Sequence, residues 1–217
     1  MKKKNENKPF EQRIYSVELE TRESEDKKTG TITGRPVVYN SRTNLGGFDE
    51  IIMPGALAKT NLDDVRFCLN HDTSFVYARS RRNNPNSTMR LSPDMEGLAI
   101  EADFAIEESA RAKDLYTAIM RRDIDKMSFM FSIEDEEWEG LDTDHPVRYI
   151  KSIGTIVEVS AVTFPAYDST SIDARSQEAL ENARLALENA RDKREKTLEN
   201  VGALDLEKAK FNFLSKL

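Results

Sequence analysis

Between Ile14 and Phe164 the chain contains several short stretches in which apolar and polar residues alternate or β-branched residues cluster. Both patterns are typical of β-strands. They predict strands at 14–20, 31–39, 65–70, 89–91, 97–106, 127–134 and 148–164. Only two helices are predicted between them, a short one beginning at Pro54 and one over residues 110–122 capped by Ser109. Many short strands with few helices predict an α+β body, a mainly antiparallel barrel or sandwich, and not a parallel βαβ sheet.

The two ends of the chain differ in composition from this body, which we place at residues 13–170. The opening is rich in Lys and Asn, so residues 1–12 are predicted to form a disordered basic arm. Residues 171–217 repeat ALENAR at 179–184 and 186–191, which predicts a long helix of weak coiled-coil character. This tail has nine basic and nine acidic residues, so the net charge of −7 resides in the preceding residues. A solvated helix and a docking or assembly segment both fit the tail.

Composition excludes several classes of function. The only cysteine, Cys68, cannot form an internal disulfide framework, and with His71 and His145 it cannot build a nitrogen or sulfur zinc site without carboxylates. Phosphate-loop, dinucleotide, H-E-x-x-H and G-x-S-x-G motifs are absent, so we expect no metal and no cofactor. The chain has no secretory signal and no run of about 18 apolar residues, and its acidic balance disfavours nucleic acid. We therefore expect a non-secreted protein without membrane or nucleic-acid partners.

Three polar residues in unusual settings could together perform nucleophilic catalysis. His71 follows an apolar strand, where a general base and a hydrogen-bonded structural histidine are both consistent with the pattern. Ser128 lies one residue into an apolar strand and near its rim, as a rigid nucleophile requires, although most strand serines are only hydrogen-bonded. Glu158 is flanked by β-branched apolar residues and needs a donor. That donor could be a histidine ring N–H, or Arg148 or Lys151 in a salt bridge.

The second histidine and the cysteine favour ordinary structural roles. His145 lies in a hydrophilic turn between acidic residues and a proline, which is typical of a solvated loop. Cys68 and His71 would point to opposite faces of an extended strand, which disfavours a Cys–His pair and favours buried packing for Cys68.

Five short segments follow one another in a fixed order between about residues 34 and 166. They are IIMPGAL at 51–57, LNHD at 69–72, EGL at 96–98, IDKMSFMF at 124–131, and IVEVS at 156–160 continuing to TFPA at 163–166. In order and spacing the chain resembles the capsid-maturation (prohead) proteases of tailed bacteriophages, which are similar in fold to the herpesvirus assemblins. The resemblance implies a closed β-barrel wrapped by helices and a serine endopeptidase activity.

The resemblance also implies roles for individual residues. His71, in the L-x-H-D motif, is expected to be the general base, and Ser128, in M-S-F-x-F, the nucleophile. Glu158, in E-V-S, is expected to be the third member of the triad. Herpesvirus relatives use a second histidine, a role that His145 could fill only if its loop folded back, and Asp168 is a further candidate.

By the same resemblance, the enzyme acts in the host cytoplasm inside an assembling procapsid. Its expected substrates are extensions of the major capsid protein or scaffolding protein, and self-cleavage and self-association are expected. The tail could hold the enzyme within the shell until it is removed. Two alternatives stay open at this point: a catalytically silent assembly or scaffolding protein, and a non-viral peptidase or esterase of the same fold.

Overall fold

The computed structural model of the chain describes residues 10–16, 19–25, 28–163 and 174–214. Its strands are β1 (Phe10–Ser16), β2 (Glu20–Glu23), β3 (Thr29–Val38), β4 (Arg42–Asn44), β5 (Asp49–Ile52), β6 (Asp64–Leu69), β7 (Ala78–Arg81), β8 (Met89–Pro93), β9 (Gly97–Ala105), β10 (Lys126–Glu139) and β11 (Val147–Val162). Its helices are α1 (Ala110–Met120) and α2 (Ala174–Leu214). Neither helix, over the residues described, is long and apolar enough to cross a membrane.

The strands form two sheets. The larger has the order β1-β10-β11-β5-β4, with β6 also pairing with β11, and β7 with β6. The smaller has the order β2-β3-β9-β8. Neighbours are antiparallel except that β11 runs parallel to β5 and to β6. β11 is therefore the central strand of the larger sheet, with β5 along its first residues and β6 along its last.

The main core lies between the two sheets and under α1. Phe67 of β6 meets Phe104 of β9 edge to face, with 5.1 Å between ring centroids. This contact joins the larger sheet to the smaller one. Tyr116 of α1 lies so close to Gly30 of β3 that a Cβ there would stand 2.5 Å from its ring. A glycine at residue 30 thus lets the helix pack closely on the strand.

Four charged residues form a second, ionic cluster inside the larger sheet. Arg13 of β1 binds both Glu11 and Glu50, and the Arg13 Nη2–Glu50 Oε2 distance is 2.8 Å. Arg148 of β11 binds Glu11, with Nη1 2.9 Å from Oε2, and also Glu50. All four residues are buried. Mutual pairing offsets the cost of removing such charges from water.

The closed barrel implied by the resemblance is not what the strand pairing shows. The two sheets meet where the Thr88 N–H donates to the Arg79 carbonyl over 3.0 Å, but no ladder between described strands closes the ring. One reason is that β7 has only four residues before the chain turns away into β8.

Some predicted boundaries are corrected and others confirmed. The predicted short helix from Pro54 is a series of tight turns, because Gly55 has φ +86°, outside the helical region. β1 begins at Phe10, so residues 10–12 of the predicted disordered arm belong to a strand. The helix after Ser109 is confirmed, and the Ser109 hydroxyl accepts the N–H of Ala112 over 3.2 Å.

Candidate active site

Three adjacent strands carry the polar side chains of the site. Ser160 on β11 stands opposite Ser128 on β10 and opposite Cys68 on β6. Glu158 lies two residues before Ser160 on the same strand. Directly paired residues, and residues two apart on one strand, share one face of a sheet. Ser128, Glu158, Ser160 and Cys68 therefore share one face, although Ser128 is 30 residues from Glu158 in the chain.

A tight turn after β6 brings His71 onto this face. Asn70 and His71 have φ values of +50° and +59°, the left-handed conformation that costs energy for residues other than glycine. The end of β11 holds the turn: Asn70 N–H donates to the Ala161 carbonyl over 2.9 Å, and His71 N–H to Ser160 Oγ over 3.0 Å. The Thr163 N–H also donates to Asn70 Oδ1 over 2.9 Å.

His71 and Glu158 form a buried imidazole–carboxylate pair. Nδ1 of His71 lies 2.7 Å from Oε2 of Glu158, and the two side chains are 8% and 2% exposed. A carboxylate can only accept a hydrogen bond, so Nδ1 carries the proton, and Nε2 of the neutral ring can accept one. The other carboxylate oxygen of Glu158 accepts the Ser160 hydroxyl. Both oxygens of this buried carboxylate are therefore satisfied.

Ser128 lies next to this pair but is not bonded to it. Its position opposite Ser160 puts the two Cβ atoms at roughly 5 Å, the usual spacing of paired residues. The Ser128 side chain is 0% exposed, and its hydroxyl has no hydrogen-bond partner within the described ranges. The prediction that this hydroxyl lies near an open rim is wrong in this conformation, because the residue is fully covered. A buried hydroxyl without a partner costs about 1–3 kcal/mol, and such a cost is typical of functional positions.

The alternative partners predicted for Glu158 are bound elsewhere. Arg148 belongs to the ionic cluster and also contacts Glu136. Lys151 pairs with Glu137 at the surface. The salt-bridge interpretation of Glu158 is therefore wrong, because the donors that reach its carboxylate are an imidazole and a hydroxyl.

The other two candidates for the third triad position do not join this pair. His145 is 41% exposed, and its Nε2 lies 2.9 Å from Oδ1 of Asp49. It precedes β11, whereas Glu158 lies near the far end of that 16-residue strand. Asp168 lies outside the described residues.

Cys68 is buried on the face that carries Glu158. Burial, and next the negative charge of Glu158, raise the pKa of the Cys68 thiol to about 12. The thiol is thus neutral and unsuited to be a nucleophile. The prediction that Cys68 is buried by packing is confirmed. The argument that Cys68 and His71 point to opposite faces of a strand is wrong, because His71 lies in a left-handed turn and not in the strand.

A cavity of about 460 Å³ adjoins the turn that carries His71. Its lining includes Phe75, Tyr77 and Arg111, and the Arg111 guanidinium lies over the Phe75 ring at 4.9 Å from its centroid. Asn70 and Asp72, the chain neighbours of His71, also line it, and a cavity of this size beside the turn can receive a side chain of a bound peptide. The sequence patterns did not indicate it, because β6, the loop after it and α1 contribute its residues separately.

A histidine oriented by a buried carboxylate, with a serine one strand away, supplies the residue types of a serine hydrolase site, although the serine and the ring are not hydrogen-bonded to each other here. The family model of the caudovirus prohead serine proteases matches residues 17–184, and the chain belongs to that family. It is therefore a serine protease of phage capsid maturation. Comparison with curated proteins and with solved structures gives no significant match.

Proposed function

We propose that Ser128, His71 and Glu158 are the catalytic triad of this prohead protease. The observation that carries the proposal is the 2.7 Å contact between His71 Nδ1 and Glu158 Oε2. Ser128 lies on the same face of the sheet as Glu158, on the neighbouring strand β10. The contact leaves Nε2 as the proton acceptor. Ser128 is the hydroxyl that the strand register puts beside this pair without a hydrogen bond of its own.

In the proposed reaction, Ser128 Oγ attacks the substrate carbonyl as its proton passes to His71 Nε2. The Glu158 carboxylate stabilises the imidazolium that forms, and the imidazolium then gives the proton to the leaving amine. His71 next takes a proton from water as the water oxygen attacks the acyl carbon, and it returns that proton to Ser128 Oγ when the ester bond breaks. Because Ser128 is fully covered in the structure, substrate entry requires a rearrangement that exposes Oγ and brings it to the ring.

The proposed substrates are extensions of the scaffolding or major capsid protein, together with this chain itself, inside an assembling procapsid in the host cytoplasm. Family membership supports a capsid-maturation role, and the cavity beside His71 supports binding of a peptide side chain. We also propose that the tail, residues 171–217, retains the enzyme in the procapsid until it is cut off. The support is that, between residues 181 and 201, α2 contacts the body through few residues and is otherwise largely exposed.

Coexpression with the capsid and scaffolding proteins tests the triad. Intact-mass spectrometry should show shortened capsid or scaffold chains, and a shortened protease, with the parent enzyme but not with Ser128→Ala or His71→Ala. Ser132→Ala is the matched control: this serine lies on the same strand, bonds only the Thr155 N–H among the described residues, and should leave cleavage intact. Cleavage that survives Ser128→Ala would refute the assignment.

The Ser128→Ala variant has a second expected property. Because the Ser128 hydroxyl has no partner among the residues that the structure describes, its removal should leave the free energy of unfolding unchanged or raise it slightly. Equal or higher stability in urea denaturation would exclude misfolding as the cause of lost cleavage.

A further inference from the structure

Ser160 joins the two parts of the imidazole–carboxylate pair. Its hydroxyl donates to Oε1 of Glu158, and the same oxygen accepts the backbone N–H of His71 over 3.0 Å. The residue is 0% exposed. One small side chain thus contacts both the carboxylate that orients the imidazole and the backbone of the residue that carries the imidazole.

These two contacts fix the direction of the Ser160 hydroxyl proton and limit the orientation of the Glu158 carboxylate. A serine has one proton to donate, and here the proton is directed to the carboxylate, so a lone pair faces the His71 amide. Glu158 then has one oxygen bound to Ser160 and the other to His71 Nδ1, which limits rotation of the carboxylate about its terminal bond. The orientation of the imidazole therefore depends on the Ser160 hydroxyl as well as on Glu158.

The backbone conformation of His71 strengthens this reading. A left-handed histidine persists only where the surroundings hold it, and such residues cluster at functional sites. The Ser160 oxygen is the acceptor for the amide of this strained residue. Ser132, a half-buried serine of β10 outside the site, by contrast accepts the Thr155 N–H of β11 and bonds no catalytic candidate among the described residues.

We infer that Ser160 is a positioning residue of the protease: it keeps the Glu158 carboxylate and the His71 turn in the geometry that makes Nε2 a base for Ser128. This inference rests on the proposed triad. Ser160 touches neither substrate nor reacting atoms, so it acts through Glu158 and His71. Misplacing a catalytic group by about 1 Å can cost roughly 100-fold in rate, and a loss of that order is the expected scale.

Three substitutions distinguish the effect of the Ser160 hydroxyl from the effect of side-chain volume. Ser160→Ala removes the hydroxyl, Ser160→Thr keeps it, and Ser160→Val has nearly the shape of threonine without it. With a peptide spanning a cleavage site mapped for the parent enzyme, Ser160→Ala should lower kcat roughly 10- to 100-fold with KM unchanged. Ser160→Thr should retain more activity than Ser160→Val, although both add the same bulk.

A spectroscopic readout reports the positioning directly. The Nδ1 proton of His71 should give a far-downfield proton resonance, identified by its absence in His71→Ala. We expect the resonance in the parent and in Ser160→Thr, and its loss or broadening in Ser160→Ala and Ser160→Val. A packing role alone would not move this signal while the rest of the spectrum stays dispersed.

The outcomes distinguish this inference from the proposed function. If Ser128→Ala or His71→Ala retained cleavage, the triad itself would be wrong. If those variants were inactive but Ser160→Ala kept the parent kcat and the resonance, the positioning role would be overturned and the triad would stand. Equal losses in Ser160→Thr and Ser160→Val would also overturn it, because bulk and not the hydroxyl would then be the cause.

Discussion

At the scale of single residues, the site depends on which polar groups are satisfied. Both oxygens of Glu158 have donors, whereas the hydroxyl of Ser128 has no partner in the part of the chain that the structure describes. A satisfied carboxylate is held in place, and a hydroxyl without a partner can bond a substrate once a rearrangement exposes it. His71, which follows β6 on the other side of β11 from β10, has one ring nitrogen bound to Glu158. This contrast between neighbouring groups supports the assignment of orienting and attacking roles.

Glu158→Gln tests the orienting role. The amide of glutamine can donate to Nδ1, which would favour the wrong ring tautomer and leave an imidazolium without a counter-charge. We expect kcat to fall by about 10²- to 10⁴-fold in a peptide cleavage assay.

The other carboxylate–histidine pair of the chain supplies the control. Asp49 is half-buried, contacts the exposed His145 at 2.9 Å and also pairs with Arg42, so Asp49→Asn makes the same change in a histidine-bound carboxylate away from Ser128. It should leave kcat near the parent value. Equal losses in Glu158→Gln and Asp49→Asn would contradict the special role of Glu158.

At the scale of elements, β1 supports the strand that carries the serine. Ile14 of β1 pairs with Ser128 of β10, so β1 covers one edge of the strand that carries Ser128. Arg13 and Glu11 of β1 pair with Glu50 of β5 and Arg148 of β11, and these ion pairs hold β1 in the sheet. Burial alone would raise the pKa of the Glu11 carboxyl, but the charges of Arg13 and Arg148, with their hydrogen bonds, outweigh it and lower that pKa. Folding thus favours the ionised form of Glu11.

The sign of this shift predicts how acid affects stability. A carboxyl whose pKa is lower in the folded state stabilises the fold above its unfolded pKa, and the contribution disappears as the pH falls through the folded value. The free energy of unfolding should therefore decrease as the pH falls below about 4.5, the ordinary pKa of Glu11. Urea denaturation measured at a series of pH values between neutral and acidic checks this expectation.

Two substitutions assign the acid effect to Glu11. Glu11→Gln should make the pH dependence shallower, because the group that titrates is gone, while lowering stability at neutral pH. Glu96→Gln alters a glutamate that pairs with Arg35 at the surface and should leave the curve nearly unchanged. An unaltered slope in Glu11→Gln would show that other carboxyls cause the acid sensitivity.

At the scale of the whole molecule, α2 touches the body over a small area. Ala183 and Leu187 of α2 pack on Leu45 and Phe48, and Trp138 extends the contact. Beyond this contact, a groove of about 970 Å³ lies between the helix and the end of β10. The helix is therefore joined to the body by a few apolar side chains and by Arg191 and Arg194, which contact the Thr143 carbonyl and Asp142. Most of the side chains described between residues 181 and 201 are exposed and left for other contacts.

Deleting residues 171–217 tests the proposed role of the tail. The shortened enzyme should be missing from purified procapsids, because the segment that retains it is gone, while it still cleaves a free peptide substrate. Immunoblots of procapsids separated by sedimentation measure incorporation.

A shorter deletion, residues 202–217, serves as the comparison, because it keeps Ala183 and Leu187 on the body. It should leave peptide cleavage unchanged and show which half of the tail is needed for incorporation. Normal incorporation of the chain lacking residues 171–217 would contradict the retention role.

Much of the fold could be predicted from local patterns. Period-two alternation predicted most strands of both sheets, and Ser109 marked the start of α1, because these features depend on neighbouring residues. The short helix at Pro54 was a wrong prediction, since a glycine with positive φ interrupts it. The closed barrel was wrong as well, because closure depends on hydrogen bonds between distant strand edges.

For the site, the sequence by itself determined which residues are chemically able to act: His71, Ser128 and a carboxylate in an apolar strand that needs a donor. Only the tertiary structure decided the partners. The Glu158–His71 contact joins residues 87 positions apart, and it depends on the register of β6 and β11 and on the left-handed turn at Asn70 and His71. The E-x-S spacing placed Ser160 on the face of Glu158, but its bond to the His71 amide could not be predicted. Local preferences set the alternation of side chains along a strand, whereas the pairing of strands far apart in the chain sets which side chains meet.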